Sequence, residues 1–350
     1  MPHDEVVLID AFSQIFRAFY AIRHLSNSRK EPVNALLVFT RLLLGIERNY
    51  PGKRGAMLFD CGKVKHRLDL LPEYKANRPP MPELLAQQIP FIREMSSAFG
   101  WQMLSCEGYE ADDLIGVLAN TLDGDIKIIS SDKDLSQLIN DRVHMLTPAH
   151  GNSGGFEERD AESVKNKFGV TPDLIIDYLA ILGDSSDNID GVKGIGAKGA
   201  AELLNTCGSS ANWIDDLAKV PAKFASKLEA SSDVLRRNIK LVSLRTELPA
   251  EWTEPEKLVV RNAPDWSEIT RLCKHYGLNS ILKDLPEVPP AEPAASVRSV
   301  AQEECTFSSD EEDLFSFMQT PQPAAEEKDV PASDCGEEET LVQGELFLNL

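Results

Sequence analysis

Three short runs, apolar except for Lys127 in the third, punctuate the first half of the chain: Val6-Val7-Leu8-Ile9, Ala56-Met57-Leu58-Phe59 and Ile126-Lys127-Ile128-Ile129. Apolar runs of this length without alternation fit strands covered on both faces, as in a parallel sheet. Segments of helical length lie between them, over 35–47, 82–98 and 111–121. Strand and helix in alternation predict an α/β domain with a mostly parallel sheet. After about Phe156 the strand signals fade, and an apolar helix over 174–182 leads into short helices joined by Gly- and Asp-containing turns. The expected organisation is an α/β domain over 1–155, a helical region over 156–285 and a tail over 286–350.

The tail is set apart by composition. From Pro286 onward it holds seven of the 21 prolines, and sixteen acidic residues against two basic ones. Such a segment cannot bury a core, so disorder is expected, interrupted by apolar islands at 314–318 and 346–348. The tail also changes how the charge is interpreted. The chain carries a formal −20, but the tail alone is −14 and the remaining 285 residues only −6. A uniformly acidic protein would be a poor nucleic-acid binder, whereas a nearly balanced body with an acidic tail is not excluded.

Other classes are excluded directly. No window approaches the ~18 apolar residues of a membrane helix. The N-terminus lacks a basic stretch followed by an apolar run, so no secretory signal is expected. Six scattered cysteines without a C-x-x-C pair suggest neither a disulfide framework nor a zinc site, and point to the reducing cytoplasm.

The chemistry begins where the strands stop. Asp10 ends the first strand, Asp60 follows the second, and the third runs through Ser130-Ser131 into Asp132 and Asp134. Ligands of an open parallel sheet bind beyond the carboxyl ends of its strands. One Asp after a strand is ordinary turn chemistry, but recurrence after every strand is not. Glu110, Asp112 and Asp113 open a helix, and Asp184 and Asp187 follow another, giving nine carboxylates in all. Their convergence would require cations. Oxygen-only ligands suit Mg²⁺ or Mn²⁺, and two such ions clamp the attacking and leaving oxygens of a phosphodiester.

Two basic features complete the pattern. The segment 63–78 carries Lys63, Lys65, Arg67, Lys75 and Arg78 beside the acids, which suits steering and neutralising a phosphate-bearing substrate. The Gly-rich turn of Gly191, Lys193, Gly194, Gly196 and Lys198 separates two helical runs. Helix-hairpin-helix elements hold duplex phosphates in this way, through backbone N–H groups and a helix N-terminus.

Several linked motifs occur in order: Asp10 with Phe16-Arg17-Ala18-Phe19-Tyr20, Phe59-Asp60, Tyr74-Lys75-Ala76-Asn77-Arg78-Pro79-Pro80, Glu110-Ala111-Asp112-Asp113, Ser131-Asp132-Lys133-Asp134 and Gly183-Asp184-Ser185-Ser186-Asp187-Asn188. The chain thereby resembles the 5′-nuclease domain of bacterial DNA polymerase I, in the flap endonuclease family. That resemblance implies a PIN-like α/β fold with a helical arch at about 61–95 and a helix-3-turn-helix DNA-binding region. It implies two metal ions, the first among Asp10, Asp60, Glu110, Asp112 and Asp113, the second among Asp132, Asp134, Asp184 and Asp187. Lys75 and Arg78 match arch residues at the scissile phosphate, Tyr20 an aromatic beside it, and the turn at 191–199 an element that often binds K⁺. Arg17, Lys63, Lys65 and Arg67 join the DNA-contacting set. Ala11, Asp190 and Gly199 depart from the family pattern.

The activity so implied is structure-selective 5′-3′ exonuclease and flap endonuclease action on branched or nicked DNA, in primer removal and repair, by a monomer. No polymerase or proofreading domain follows in this chain, so a stand-alone nuclease is expected. Gln343, Leu346 and Phe347 fit the Q-x-x-L-F pattern of peptides that bind the bacterial sliding clamp. A non-catalytic junction-binding adaptor and a PIN-type ribonuclease are the rival readings.

Overall fold

The structure is a computed structural model and describes residues 5–149 and 155–286. The predicted tail, its 314–318 island and Gln343, Leu346 and Phe347 lie outside the described residues.

A six-stranded sheet in the order β3-β2-β1-β4-β5-β6 organises the first half. β1 (Glu5–Asp10), β2 (Arg54–Leu58), β3 (Gln102–Leu104), β4 (Asp125–Ile129) and β5 (Val143–Pro148) run parallel, and β6 (Phe156–Arg159) closes one edge antiparallel. β1 lies at the centre and is buried on both faces, which is why its sequence is a continuous apolar run. The three predicted strands are β1, β2 and β4. β6 falls beyond the expected boundary at 155: the sheet needs Phe156–Arg159 to cover the outer edge of β5, so the α/β unit continues past it.

Alternate residues of the strands feed two cores. Val6, Leu8, Ala56, Leu58, Ile126 and Ile128 face α6 (Ala111–Thr121) and the helices that follow β6. Val7, Ile9, Met57 and Ile129 face α1 (Ala11–Ala21) and α2 (Asn34–Asn49). The helix expected over 82–98 is broken, after α3 (Lys65–Leu70), into α4 (Glu83–Ala86) and α5 (Ile89–Ala98). Pro90 lies in the first turn of α5, where its missing N–H does no harm, but it could not continue α4.

Among the described residues after β5, the chain is helical apart from β6 and a two-residue ladder, β7 (Gly183–Asp184) with β8 (Ile189–Asp190). α7 (Ala161–Phe168) and α8 (Ile175–Leu182) precede the ladder; α9 (Ala197–Cys207), α10 (Ala222–Ala230) and α11 (Ser232–Val242) follow it. The buried Asn238 of α11 donates to the carbonyls of Ala180 and Asp190, fixing the ladder against α8. The chain then returns through α12 (Pro255–Leu258), α13 (Trp266–Tyr276) and α14 (Asn279–Leu282). α13 and α14 bury Ile269, Leu272, Cys273, Tyr276 and Ile281 in the α1–α2 core, not in the helical region to which the sequence assigned them.

Candidate active site

Register brings the acids together. Asp10 pairs with Leu58 and Ile9 with Ile129, so Asp10, Asp60 and Asp132 leave the sheet along one rim. Asp10 caps α1, accepting from Ser13 N at 3.2 Å, and Ser130 Oγ donates to its other oxygen at 2.7 Å. Asp60 accepts from Ala111 N at 2.8 Å, which pins the start of α6 to the end of β2. The first turn of α6 presents Glu110, Asp112 and Asp113, the acids a helix N-terminus favours. Asp132 accepts from Asp134 N at 2.9 Å, and Asp184 from Ser186 N at 2.9 Å across the β7–β8 turn.

The electrostatics divide this group. Burial, reinforced by Asp132 and Asp60, pushes the Asp10 carboxyl up to about 7. Burial and neighbouring acids also raise Asp60, Asp112, Asp132 and Asp134, Asp112 through Asp132, Asp10 and Asp60. Glu110 goes the other way: burial works to raise it, but Lys75 and Arg67 hold it at about 2. Asp184 is likewise lowered, by Ser186 and Lys133 against its burial. The rim is therefore a line of acids, Asp10 buried and Asp112, Asp132 and Asp134 half-buried, that repel one another, with cations along its Glu110, Asp184 and Asp187 side.

Those cations come from the basic segment. Lys75 Nζ lies 2.5 Å from Glu110 Oε1 and 3.8 Å from Asp187, and Arg78 pairs with Asp187. Lys133 contacts Asp184 at 2.9 Å. Among the described residues no three of His, Cys, Asp and Glu are set around a common point as a finished metal shell. The donor chemistry still fits a hard divalent ion: every convergent group is a carboxylate, and the repulsion within the line is what a cation relieves.

Two expectations are corrected. Arg67 is not a DNA contact: it is 2% exposed, pairs with both oxygens of Asp113 at 2.8 and 2.9 Å, and also engages Glu110 and the Leu241 carbonyl. Asp113 is correspondingly spent. It is fully buried and accepts from Arg67 and from the backbone N–H groups of Glu110 and Arg245, leaving no face for an ion. Arg67 is buried because Val64, Arg67 and Leu71 share one inward face of α3 and its flanks.

The remaining residues are spread around this rim. Tyr20 is 62% exposed at the end of α1. Arg17 is half-buried and donates to the Pro148 carbonyl at 2.6 Å. Lys63, Lys65, Lys193 and Lys198 are exposed. Gly191 has a packing reason: a Cβ there would stand 2.1 Å from the Leu182 carbonyl oxygen. In the turn that follows, Lys227 donates to the Gly194 carbonyl at 2.9 Å, and Gly196 caps α9. Sequence reasoning did not single out Ser130, Lys133 or Tyr74 as site residues. The position of Ser130 directly after β4 was a usable signal, as was the position of Lys133 between two acids. The Tyr74 hydroxyl lies 3.1 Å from both Glu110 and Asp187, and nothing in the sequence marks that convergence.

A parallel sheet whose carboxyl rim gathers acids beside a basic segment fits a metal-dependent nuclease or phosphatase, and the comparisons with known proteins decide between them. The description "5′-3′ exonuclease, N-terminal resolvase-like domain" matches residues 5–169, and "5′-3′ exonuclease, C-terminal SAM fold" matches 170–265. The chain belongs to the 5′-3′ exonuclease family, nucleases that hydrolyse phosphodiester bonds. The 5′-3′ exonuclease of Aquifex aeolicus is 33% identical, covering 80% of this chain and 95% of that protein. DNA polymerase I of Bacillus subtilis is 34% identical over 81% of this chain and 32% of its own length; the chain spans about a third of such polymerases. Among solved structures, the T5 D15 protein co-crystallised with metal ions gives a TM-score of 0.57 at 25% identity, over 79% of this chain and 99% of that one. The catalytic core of Rad2 with DNA substrate shares the fold, at a TM-score of 0.53 and 20% identity over 81% of this chain and 93% of its own.

Proposed function

We propose that this chain is a divalent-metal-dependent, structure-selective 5′-nuclease that cuts DNA flaps and 5′ ends near the single-strand/duplex junction, as in primer removal and repair. The observation that carries the reading is the line of mutually repelling acids, buried Asp10 with half-buried Asp112, Asp132 and Asp134, at the carboxyl rim of a parallel sheet. Asp10, Asp60, Glu110 and Asp112 would hold one Mg²⁺ or Mn²⁺, and Asp132, Asp134, Asp184 and Asp187 a second, with Asp113 left to Arg67. Such ions supply an acidified water and neutralise the charge of the reacting phosphate. Lys75 and Arg78 bind that phosphate from the arch, and Tyr20 stacks on a displaced base. The turn at 191–199, with Lys193 and Lys198, holds the duplex through backbone N–H groups and the start of α9. K⁺ at this turn would compete with Lys227 for the Gly194 carbonyl, and tighter duplex binding in K⁺ than in Na⁺ checks it.

The protein would act as a monomer in the cytoplasm, in keeping with free Cys61, Cys106, Cys207 and Cys273. Its Q-x-x-L-F segment would tether it to the sliding clamp, and loss of clamp affinity on deleting 343–350 is the expected result; unchanged affinity removes the tether.

The deciding experiment is cleavage of a 5′-labelled flap duplex in Mg²⁺, beside EDTA and Asp112→Asn. Release of the flap near the junction is expected, lost in EDTA and reduced about 100-fold or more in the variant. Tight binding without cutting in either Mg²⁺ or Mn²⁺ would replace the enzyme by a junction-binding adaptor.

A further inference from the structure

The basic segment does not stand clear of the acids; residues 73–78 are fastened onto residues 184–188. The Lys75 backbone N–H donates to the Asp187 carbonyl at 3.0 Å. Asn77 Nδ2 donates to the Ser185 carbonyl at 2.6 Å, and Asn188 Nδ2 returns the link to the Glu73 carbonyl at 2.9 Å. Lys75 and Asn188, at the heart of the contact, both adopt left-handed backbone, with φ of 57° and 60°. Residues other than glycine persist in that conformation where their surroundings impose it. Around this frame lie the charges: Lys75 on Glu110 and Asp187, Arg78 on Asp187, and the Tyr74 hydroxyl between the two acids.

Glu110 and Asp187 are among the acids that the proposed function gives to the two ions. A carboxylate oxygen engaged by an ammonium at 2.5 Å cannot also ligate a divalent ion at ~2 Å without bringing like charges together. We propose that residues 73–78 and 184–188 form a clasp that competes with divalent ions for Glu110 and Asp187. Ion loading then opens the clasp and frees Lys75 and Arg78 for the substrate phosphate, so the ions bind first and the arch cations engage the substrate second. This inference rests on the metal reading above and adds an order of events to it. Linkage makes the competition reciprocal: whatever the ions take from the clasp, the clasp takes from ion affinity.

The reciprocity supplies a test without DNA or turnover. Magnesium affinity is measured by calorimetry on the full chain, and amide exchange of peptides spanning 73–78 and 184–188 is followed by mass spectrometry with and without Mg²⁺. Saturating Mg²⁺ is expected to speed exchange in both segments. The Lys75→Met, Arg78→Met double variant is expected to bind Mg²⁺ about tenfold more tightly. Lys65→Met, which removes one charge from the same segment outside the clasp, is expected to leave Mg²⁺ affinity unchanged. Exchange that is unaltered or slowed at demonstrated saturation overturns the clasp and leaves the metal reading intact, as does equal or weaker Mg²⁺ binding by the double variant. Equal tightening by Lys65→Met overturns it too, since bulk charge would then suffice. Absence of Mg²⁺ and Mn²⁺ binding to wild type overturns the metal reading and the clasp with it.

Discussion

Arg67 shows how much a single inward-turning charge decides. Its guanidinium neutralises Asp113 and Glu110 in a region closed to solvent, and also donates to the carbonyl of Leu241 in α11. It thereby ties α3, the acid-bearing helix α6 and the end of α11 to one point. Removing one partner of such a pair leaves uncompensated buried charge, at a cost of about 3–5 kcal/mol. Arg67→Met is therefore expected to lower the unfolding free energy by about that amount, measured by denaturant titration. Arg67→Met combined with Asp113→Leu is expected to recover part of it. A single variant as stable as wild type would mean that the pair is hydrated and the burial account fails. The sequence did not separate Arg67 from its neighbours because a basic run looks the same whether its members face water or core. The available signal was periodicity, since Arg67 falls three residues after Val64 and four before Leu71, both buried. The acids were easier to read: nearly all sit at the end of a strand or the start of a helix, positions that a linear pattern marks.

At the scale of elements, the sequence was legible where burial was complete and obscure where it was partial. β1, β2 and β4 announce themselves because both faces are covered, whereas β3 is three half-buried residues and β6 is the polar edge strand Phe-Glu-Glu-Arg. β5 gives a weaker signal, with half-buried His144 between Val143 and Met145 and half-buried Thr147 and Pro148 at its end. The division between α4 and α5 was carried by Pro90, a helix-opening residue inside what looked like one helical segment. Neither the clasp nor the β7–β8 ladder leaves a periodic trace, because both are made from backbone groups and single side chains of segments distant in sequence. The result for the site is a split. The rim of acids follows from strand order and register, while the cations on it come from a docking that only the folded chain displays.

The whole molecule adds a dependence that family matching understates. The family match ends at residue 265, where Asp265 caps α13 by accepting from Glu268 N at 2.9 Å. Beyond it, Ile269, Leu272, Tyr276, Leu278 and Ile281 are all buried against the core that supports α1 and β1. The route to that core is tight: Gly100, at φ 78°, approaches Asn262 so closely that a Cβ would stand 2.1 Å from its carbonyl oxygen. Arg261 stacks over Trp101 at 4.2 Å and pairs with Glu47. Burying five such side chains contributes on the order of 10 kcal/mol, as large as the whole stability of a typical domain. Since Asp10 caps α1, which carries Tyr20, the return helices support the acid rim from behind. A chain of residues 1–286 is thus expected to unfold cooperatively, by circular dichroism and calorimetry. A chain of 1–265 is expected to lose that transition or to melt at least 10 °C lower, and to lose cleavage with it although every acid is present. If 1–265 melted and cut like 1–286, α13 and α14 would be an appendage, and the α1–α2 core would have to be stable with one side uncovered.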